Sequence, residues 1–168
     1  MMRMAQLSVQ SVVSVYLWNI FMQIENKEVR KISAAGKKVG IVTSRFNREI
    51  TEALLQSAKQ ALKDAGVAEA DCQFISVAGA MEIPFALQKL AHDKTFDCLV
   101  AIGCVIRGET PHFDYVCKMA QEGLLRVSLD NAIPIGFGII TVNDLAQAQS
   151  RLRLGGEAVL AALELALL

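Results

Sequence analysis

The chain has 168 residues and a mass of 18.3 kDa, the length of one domain able to bury about 70 % of the surface its unfolded form exposes. It is 53 % hydrophobic and 20 % charged with a mean hydropathy of +0.37; this excludes a disordered chain and leaves apolar surface in excess of one small core, as expected of a subunit in an oligomer. Seventeen basic residues balance seventeen acidic ones, for net charge zero and an isoelectric point near 6.7, so the basic excess of a nucleic-acid binder is missing.

Near the N-terminus, Val12 to Ile24 is mostly apolar and follows a lone Arg3. The run is too short to span a bilayer, and the small residues Ser33 to Gly36 lie beyond the charged stretch Glu25 to Lys31, poor spacing for a cleavable signal. Met22 offers another explanation, a later start that makes residues 1–21 an upstream extension, 22–37 an N-terminal segment and 38–168 the folded domain.

From Lys38 onward, short β-branched runs alternate with stretches of helical period, the rhythm of βαβ units. Val39 to Thr43 reads as the first strand. Ile50, Ala53, Leu54, Ala58, Ala61, Leu62 and Ala65 then recur at helical spacing up to a terminating Gly66. Cys72 to Val77 reads as a second strand, and Pro84 opens a helix running to about Lys94. Cys98 to Ile106, continuously apolar, has the character of a central parallel strand covered on both faces. Phe113 to about Ser128 reads as the third helix, with Val116, Met119, Ala120, Gly123 and Leu124 on one side, and Ile133 to Thr141 as the last strand. Asp144 caps a short helix through Ser150, and Gly155-Gly156 leads into a final helix from Glu157 to Leu167.

Four parallel strands interleaved with helices predict a three-layer αβα sandwich, doubly wound and flavodoxin-like, which binds ligands beyond the carboxyl ends of its strands. Three loops are selected by that rule: Ser44 to Glu49, Ala78 to Ile83, and Arg107 to His112. His112 follows the third strand beside Glu109 and Thr110, where an imidazole is placed to move protons near neutrality; otherwise it is a helix-start residue that bonds its own loop. His92, the only other histidine, sits at a helix end where it suits the dipole. Gly108 and Thr110 precede a helix and offer amides to a phosphate, for which Arg151 is either the charge partner or a solvated arginine. Phe46 either stacks on a flat heterocycle or plugs the sheet edge, and Glu82 either accepts bonds from a polyol or complements a helix N-terminus. Cys72, Cys98, Cys104 and Cys117 form no C-x-x-C pair and read as reduced thiols of a cytoplasmic protein. The residues alone point to an α/β enzyme for a small phosphorylated ligand.

From about Lys38 to Leu165 the chain resembles the 6,7-dimethyl-8-ribityllumazine synthase family of riboflavin biosynthesis. The resemblance is carried by Ser44-Arg45-Phe46-Asn47, by Gly79-Ala80-Met81-Glu82-Ile83-Pro84, by the stretch from Gly103 to Val116 that contains Arg107-Gly108-Glu109-Thr110-Pro111-His112, and by Phe137-Gly138-Ile139. The resemblance implies a transferase that condenses 5-amino-6-(D-ribitylamino)uracil with 3,4-dihydroxy-2-butanone 4-phosphate, releasing phosphate and water without metal or organic cofactor. It implies that Phe46 stacks on the pyrimidine, that Asn47, Ala80 and Glu82 line the ribityl side, that Val105 and Ile106 line the ring edge, and that Met81 is a further substrate-binding residue. Gly108, Glu109 and Thr110 would hold the phosphate, His112 would shuttle protons, and Phe137 and Arg151 would come from a neighbouring subunit.

Members assemble as homopentamers, some of which pair or build icosahedral capsids, and the segment before the first strand often adds to a neighbour's sheet, a role open to residues 22–37. The partners implied are thus two small molecules and further copies of the chain, with no nucleic acid and no membrane. The chain departs from the family pattern at Ala78, usually proline, at Met81, usually aromatic, at Leu154, usually lysine, and in a shortened stretch after Arg151. Two rival readings share the scaffold: a riboflavin synthase that takes the lumazine itself as substrate, and a non-catalytic shell or flavin-binding protein.

Overall fold

The computed structural model describes residues 32–168; the extension expected over 1–21 and most of the 22–37 segment lie outside the described residues. In chain order the elements are β1 (Val39–Ser44), α1 (Arg48–Asp64), β2 (Cys72–Val77), α2 (Ile83–His92), β3 (Cys98–Ile106), α3 (His112–Asn131), β4 (Ile135–Val142), α4 (Leu145–Gln149) and α5 (Leu154–Ala166). All strand pairs are parallel and the sheet order is β2-β1-β3-β4, so β3 is internal as its unbroken apolar run predicts. A chain that winds outward from β1 to β2 and then returns to place β3 on the other side has its switch point between β1 and β3, where such sheets leave a crevice for ligands.

Alternation along the strands feeds two cores. Val39 and Ile41 of β1 with Val100 and Ile102 of β3 face α1 and α5, where Leu54, Ala58, Val159 and Leu163 complete one apolar layer. Val42, Leu99, Ala101 and Val105 face the other way, toward Ile83, Leu87 and Leu90 of α2 and Ala120, Leu124 and Val127 of α3. Burial pushes the Cys98 thiol up to about 12 and the Cys104 thiol up to about 11. Neither carries much reactive thiolate near neutrality, and all four cysteines are free.

Two boundaries and the facing of one side chain differ from the sequence expectation. α5 begins at Leu154 and takes Gly155 and Gly156 into its first turn. They are helical because the two helices touch backbone to backbone there: a Cβ on Gly155 would run into the Leu54 carbonyl oxygen of α1, and the Gly156 amide donates to Ser57 Oγ at 3.2 Å. β4 begins at Ile135 because Ile133 is used to close α3, its amide donating to the Ser128 carbonyl at 3.1 Å behind a left-handed Ala132 at φ 49°. Met119 points away from the core face that holds Ala120 and Leu124 and, with Tyr115, Leu125 and Leu129, is an exposed apolar side chain of α3, interspersed with the charged Lys118, Glu122 and Arg126. Elsewhere the agreement is close: β2 and β3 have the expected limits, Gly66 follows α1 with φ 78°, and Asp144 Oδ1 caps α4 by accepting from the Gln147 amide at 2.8 Å.

Candidate active site

The loop after β1 is tied down on both sides. Toward β2, the Arg45 and Phe46 amides donate to the Val77 and Ala78 carbonyls at 2.9 and 3.1 Å, extending the ladder past the end of the strand. Toward β3, the Asn47 side chain donates from Nδ2 to the Cys104 carbonyl at 3.0 Å. Asn47 adopts the left-handed conformation, φ 55° and ψ 49°, which asparagine tolerates better than most residues. That turn starts α1 and leaves the Phe46 ring 71 % exposed at the crevice rim, so Phe46 does not plug the sheet edge and is free to stack on a flat ligand.

The loop after β2 folds into a single 3-10 turn, Ala80–Glu82, leading directly into α2, with Pro84 in the first helical turn. Glu82 reaches back so that its Oε2 accepts the Gly79 amide at 2.7 Å, the local half of a capping arrangement. Both expectations for this carboxylate are compatible with that geometry, because it serves the turn and remains exposed. Ala80 is buried, Met81 half-buried. At the end of β3, Val105 is buried and Ile106 half-buried, an apolar wall beside the Asn47 bridge.

The loop after β3 is held at its base. The Arg107 amide donates to the Val142 carbonyl at 2.9 Å. Its guanidinium pairs with Asp114 across the first turn of α3 (Nη2 to Oδ1 3.1 Å) and lies 4.1 Å above the Phe113 ring. Between these anchors Gly108, Glu109 and Thr110 are exposed, and a Cβ at Gly108 would meet nothing within 4 Å. Among the described residues no backbone carbonyl engages the amides of these three. His112 is the first residue of α3 and is exposed beside them. Amides at the positive end of a long helix, next to an imidazole, form a place for an anion and a proton carrier.

Two expected residues are not brought to this cluster. Phe137 lies opposite Ala101, well before the carboxyl end of β3 where Val105 sits opposite Thr141, and its ring is 51 % exposed on the edge strand. Arg151, on the turn after α4, bonds locally: Nη1 donates to the Gln147 carbonyl at 2.9 Å and to Ser150 Oγ at 3.0 Å. Leu154 packs against the α1–α5 core and Arg153 pairs with Glu157, so the shortened connection presents no lysine. A fourth carboxyl-end loop, at Asn143 and Asp144, is absent from the three expected from sequence, although the same rule applies to β4; it follows the Val142 carbonyl that anchors Arg107.

The parallel four-stranded sheet, its helices on both faces and the loop cluster at the switch point define an α/β enzyme of flavodoxin-like architecture. Residues 36–168 match the family model described as 6,7-dimethyl-8-ribityllumazine synthase. The chain is similar to the 6,7-dimethyl-8-ribityllumazine synthase of Frankia casuarinae, 46 % identical over 139 residues that make up 79 % of this chain and 85 % of that protein. It is also similar to the proteins of the same name from Desulfatibacillum aliphaticivorans (45 % over 120 residues, 71 % and 77 % covered) and Desulfosudis oleivorans (43 % over 120 residues, 71 % and 76 % covered). The chain belongs to the 6,7-dimethyl-8-ribityllumazine synthase family.

Proposed function

We propose that this chain is a transferase of riboflavin biosynthesis that condenses 5-amino-6-(D-ribitylamino)uracil with 3,4-dihydroxy-2-butanone 4-phosphate to give 6,7-dimethyl-8-ribityllumazine, phosphate and water, with no metal or organic cofactor. The observation that carries the residue roles is the convergence of the three loops on the β1/β3 crevice, one side apolar and aromatic, the other an exposed helix start with free amides and an imidazole. Phe46 stacks on the pyrimidine; Asn47, Ala80 and Glu82 line the ribityl chain; Val105 and Ile106 bound the ring edge; Met81 is a further substrate-binding residue. Gly108, Glu109 and Thr110 hold the phosphate, close to His112.

Imine formation, phosphate elimination and ring closure each move protons, and none needs a strong nucleophile from the protein. Holding the amine and the ketone in contact supplies most of the acceleration, and His112 shuttles protons between them, adding about 10²- to 10⁴-fold. The positive end of α3 stabilises the departing phosphate. Gly108 through Thr110 serve this phosphate chemistry, which favours the synthase over a riboflavin synthase or a shell protein on the same scaffold.

The site is completed by a neighbouring copy. Phe137 and Arg151 stand apart from the crevice in their own chain and serve the adjacent one, with Arg151 giving phosphate a bidentate partner. The exposed Tyr115, Met119, Leu125 and Leu129 of α3 supply apolar contact surface, and the assembly is a homopentamer or a multiple of it. No described helix is long and apolar enough to cross a membrane; the free thiols support a reducing, cytoplasmic setting. The test is to mix the purified protein with both substrates and follow lumazine fluorescence and phosphate release against a protein-free control. Faster lumazine formation with one phosphate per lumazine supports the reading; no acceleration by a folded sample sinks it.

A further inference from the structure

Ser44 ends β1, 1 % exposed, and its Oγ is the buried side-chain polar atom left without a hydrogen-bond partner among the described residues. Its neighbours explain why nothing reaches it. Val77 lies beside it on β2, the Arg45 and Phe46 backbone amides are engaged by the Val77 and Ala78 carbonyls, and the Asn47 side-chain amide is engaged by the Cys104 carbonyl of β3, so these neighbouring donors are spent elsewhere. By strand alternation Ser44 shares the face of Val42, which packs with Ala80, Ile83 and Val105. The orphaned hydroxyl therefore faces the apolar layer that contains Ala80 and Val105, which are proposed to line the ribityl side and the ring edge of the pyrimidine substrate. A buried hydroxyl with no partner destabilises the fold that holds it, whereas alanine would fill the same space without that penalty.

We infer that Ser44 is a further binding residue of this site, its hydroxyl bonding the hydroxylated side chain of the pyrimidine substrate once the Phe46 loop re-seats around the stacked ring. The inference rests on the synthase reading. The Phe46 side chain is exposed and belongs to neither apolar core, so the loop that ends β1 re-seats at the cost of the Arg45, Phe46 and Asn47 hydrogen bonds and not of core contacts. The bond exists only in the complex, so Ser44 contributes to recognition of the polyol and detracts from the stability of the free protein.

The test compares wild type with Ser44→Ala and Ser44→Cys, the latter keeping the shape with a poor hydrogen-bonding group. For both variants the KM for ribitylaminouracil rises about 5- to 10-fold, the scale of one hydrogen bond. The KM for dihydroxybutanone phosphate stays within twofold, and the melting temperature of the ligand-free protein is unchanged or higher. An unchanged ribitylaminouracil KM in a folded Ser44→Ala protein overturns the inference, as does a lowered melting temperature with both KM values raised equally, which marks a structural hydroxyl. If wild type itself forms no lumazine, the synthase reading fails and the inference with it; if only the KM contrast is missing, the reading stands and the inference alone fails.

Discussion

Asn47 Nδ2 bonds the carbonyl of Cys104 at 3.0 Å, joining the loop that leaves β1 to the end of β3. This one bond spans the switch point of the sheet and ties the loop that carries Phe46 to the strand that leads into the Arg107–His112 loop. Because Asn47 is also left-handed, two substitutions separate its roles. Asn47→Gly loses the bond and keeps the conformation, costing about 1 kcal/mol. Asn47→Ala loses the bond and adds backbone strain, for a total of about 2 kcal/mol. Urea denaturation of the two variants reads the difference; equal losses would mean that the backbone conformation carries no strain.

At Gly155, helix propensity and packing oppose one another. Alanine in a helix interior is favoured over glycine by about 1 kcal/mol, but a Cβ here meets the Leu54 carbonyl, and backbone overpacking costs about 3 kcal/mol. Gly155→Ala is therefore destabilising by about 2 kcal/mol. Gly108→Ala, in open space, leaves the melting temperature within a degree or so of wild type. A Gly155→Ala protein as stable as wild type would show that α1 and α5 are not in close contact.

Asp97 fastens the chain entering β1 to the chain entering β3: Oδ2 accepts the Lys38 amide at 2.7 Å and Oδ1 pairs with Lys37 Nζ at 3.1 Å. The Lys38 amide is the main cause that holds its carboxyl below the ordinary value of 3.8; partial burial acts against it and the two lysines add to it. A carboxyl with a lowered native pKa stabilises the fold above its unfolded value, and that contribution fades as pH falls through the native one. The stability advantage of wild type over Asp97→Asn is thus present at pH 7 and shrinks below about pH 4. Denaturant midpoints at pH 7 and pH 3 check this; a gap that stays constant would contradict it.

The exposed apolar side chains of α3 are the contact surface proposed for assembly. Replacing Met119 and Leu129 together by Glu places two charges on an apolar contact, so light scattering should report a smaller species than wild type. If Phe137 and Arg151 complete a neighbour's site as proposed, loss of assembly also lowers lumazine synthesis by about tenfold or more. A fully active monomer would rule out the shared site.

Much of this was legible in the sequence, for identifiable reasons. β3 declares itself because nine residues, Cys98 to Ile106, are apolar without a break, which only a strand covered on both faces requires. The three selected loops followed from the carboxyl-end rule, and His112, Phe46 and the Gly108–Thr110 amides all stand at that edge. What escaped is what depends on contacts between distant residues. The helical state of Gly155-Gly156 comes from the backbone of α1, about a hundred positions away in the chain. The left-handed Ala132 ends α3 without the glycine that normally signals such a cap. The outward turn of Met119 is ambiguous at helical spacing because α3 has apolar residues on two faces. The local bonding of Arg151 cannot be read from composition, since an arginine ready for phosphate and one folded onto its own turn look alike in sequence.

The most direct measurement is the rate of lumazine formation by His112→Ala with both substrates saturating. If proximity in the β1/β3 crevice supplies most of the acceleration and His112 only shuttles protons, the variant runs about 10²- to 10⁴-fold slower than wild type and still above the protein-free rate. A folded, assembled variant with no activity above that control, or one as fast as wild type, would contradict the account.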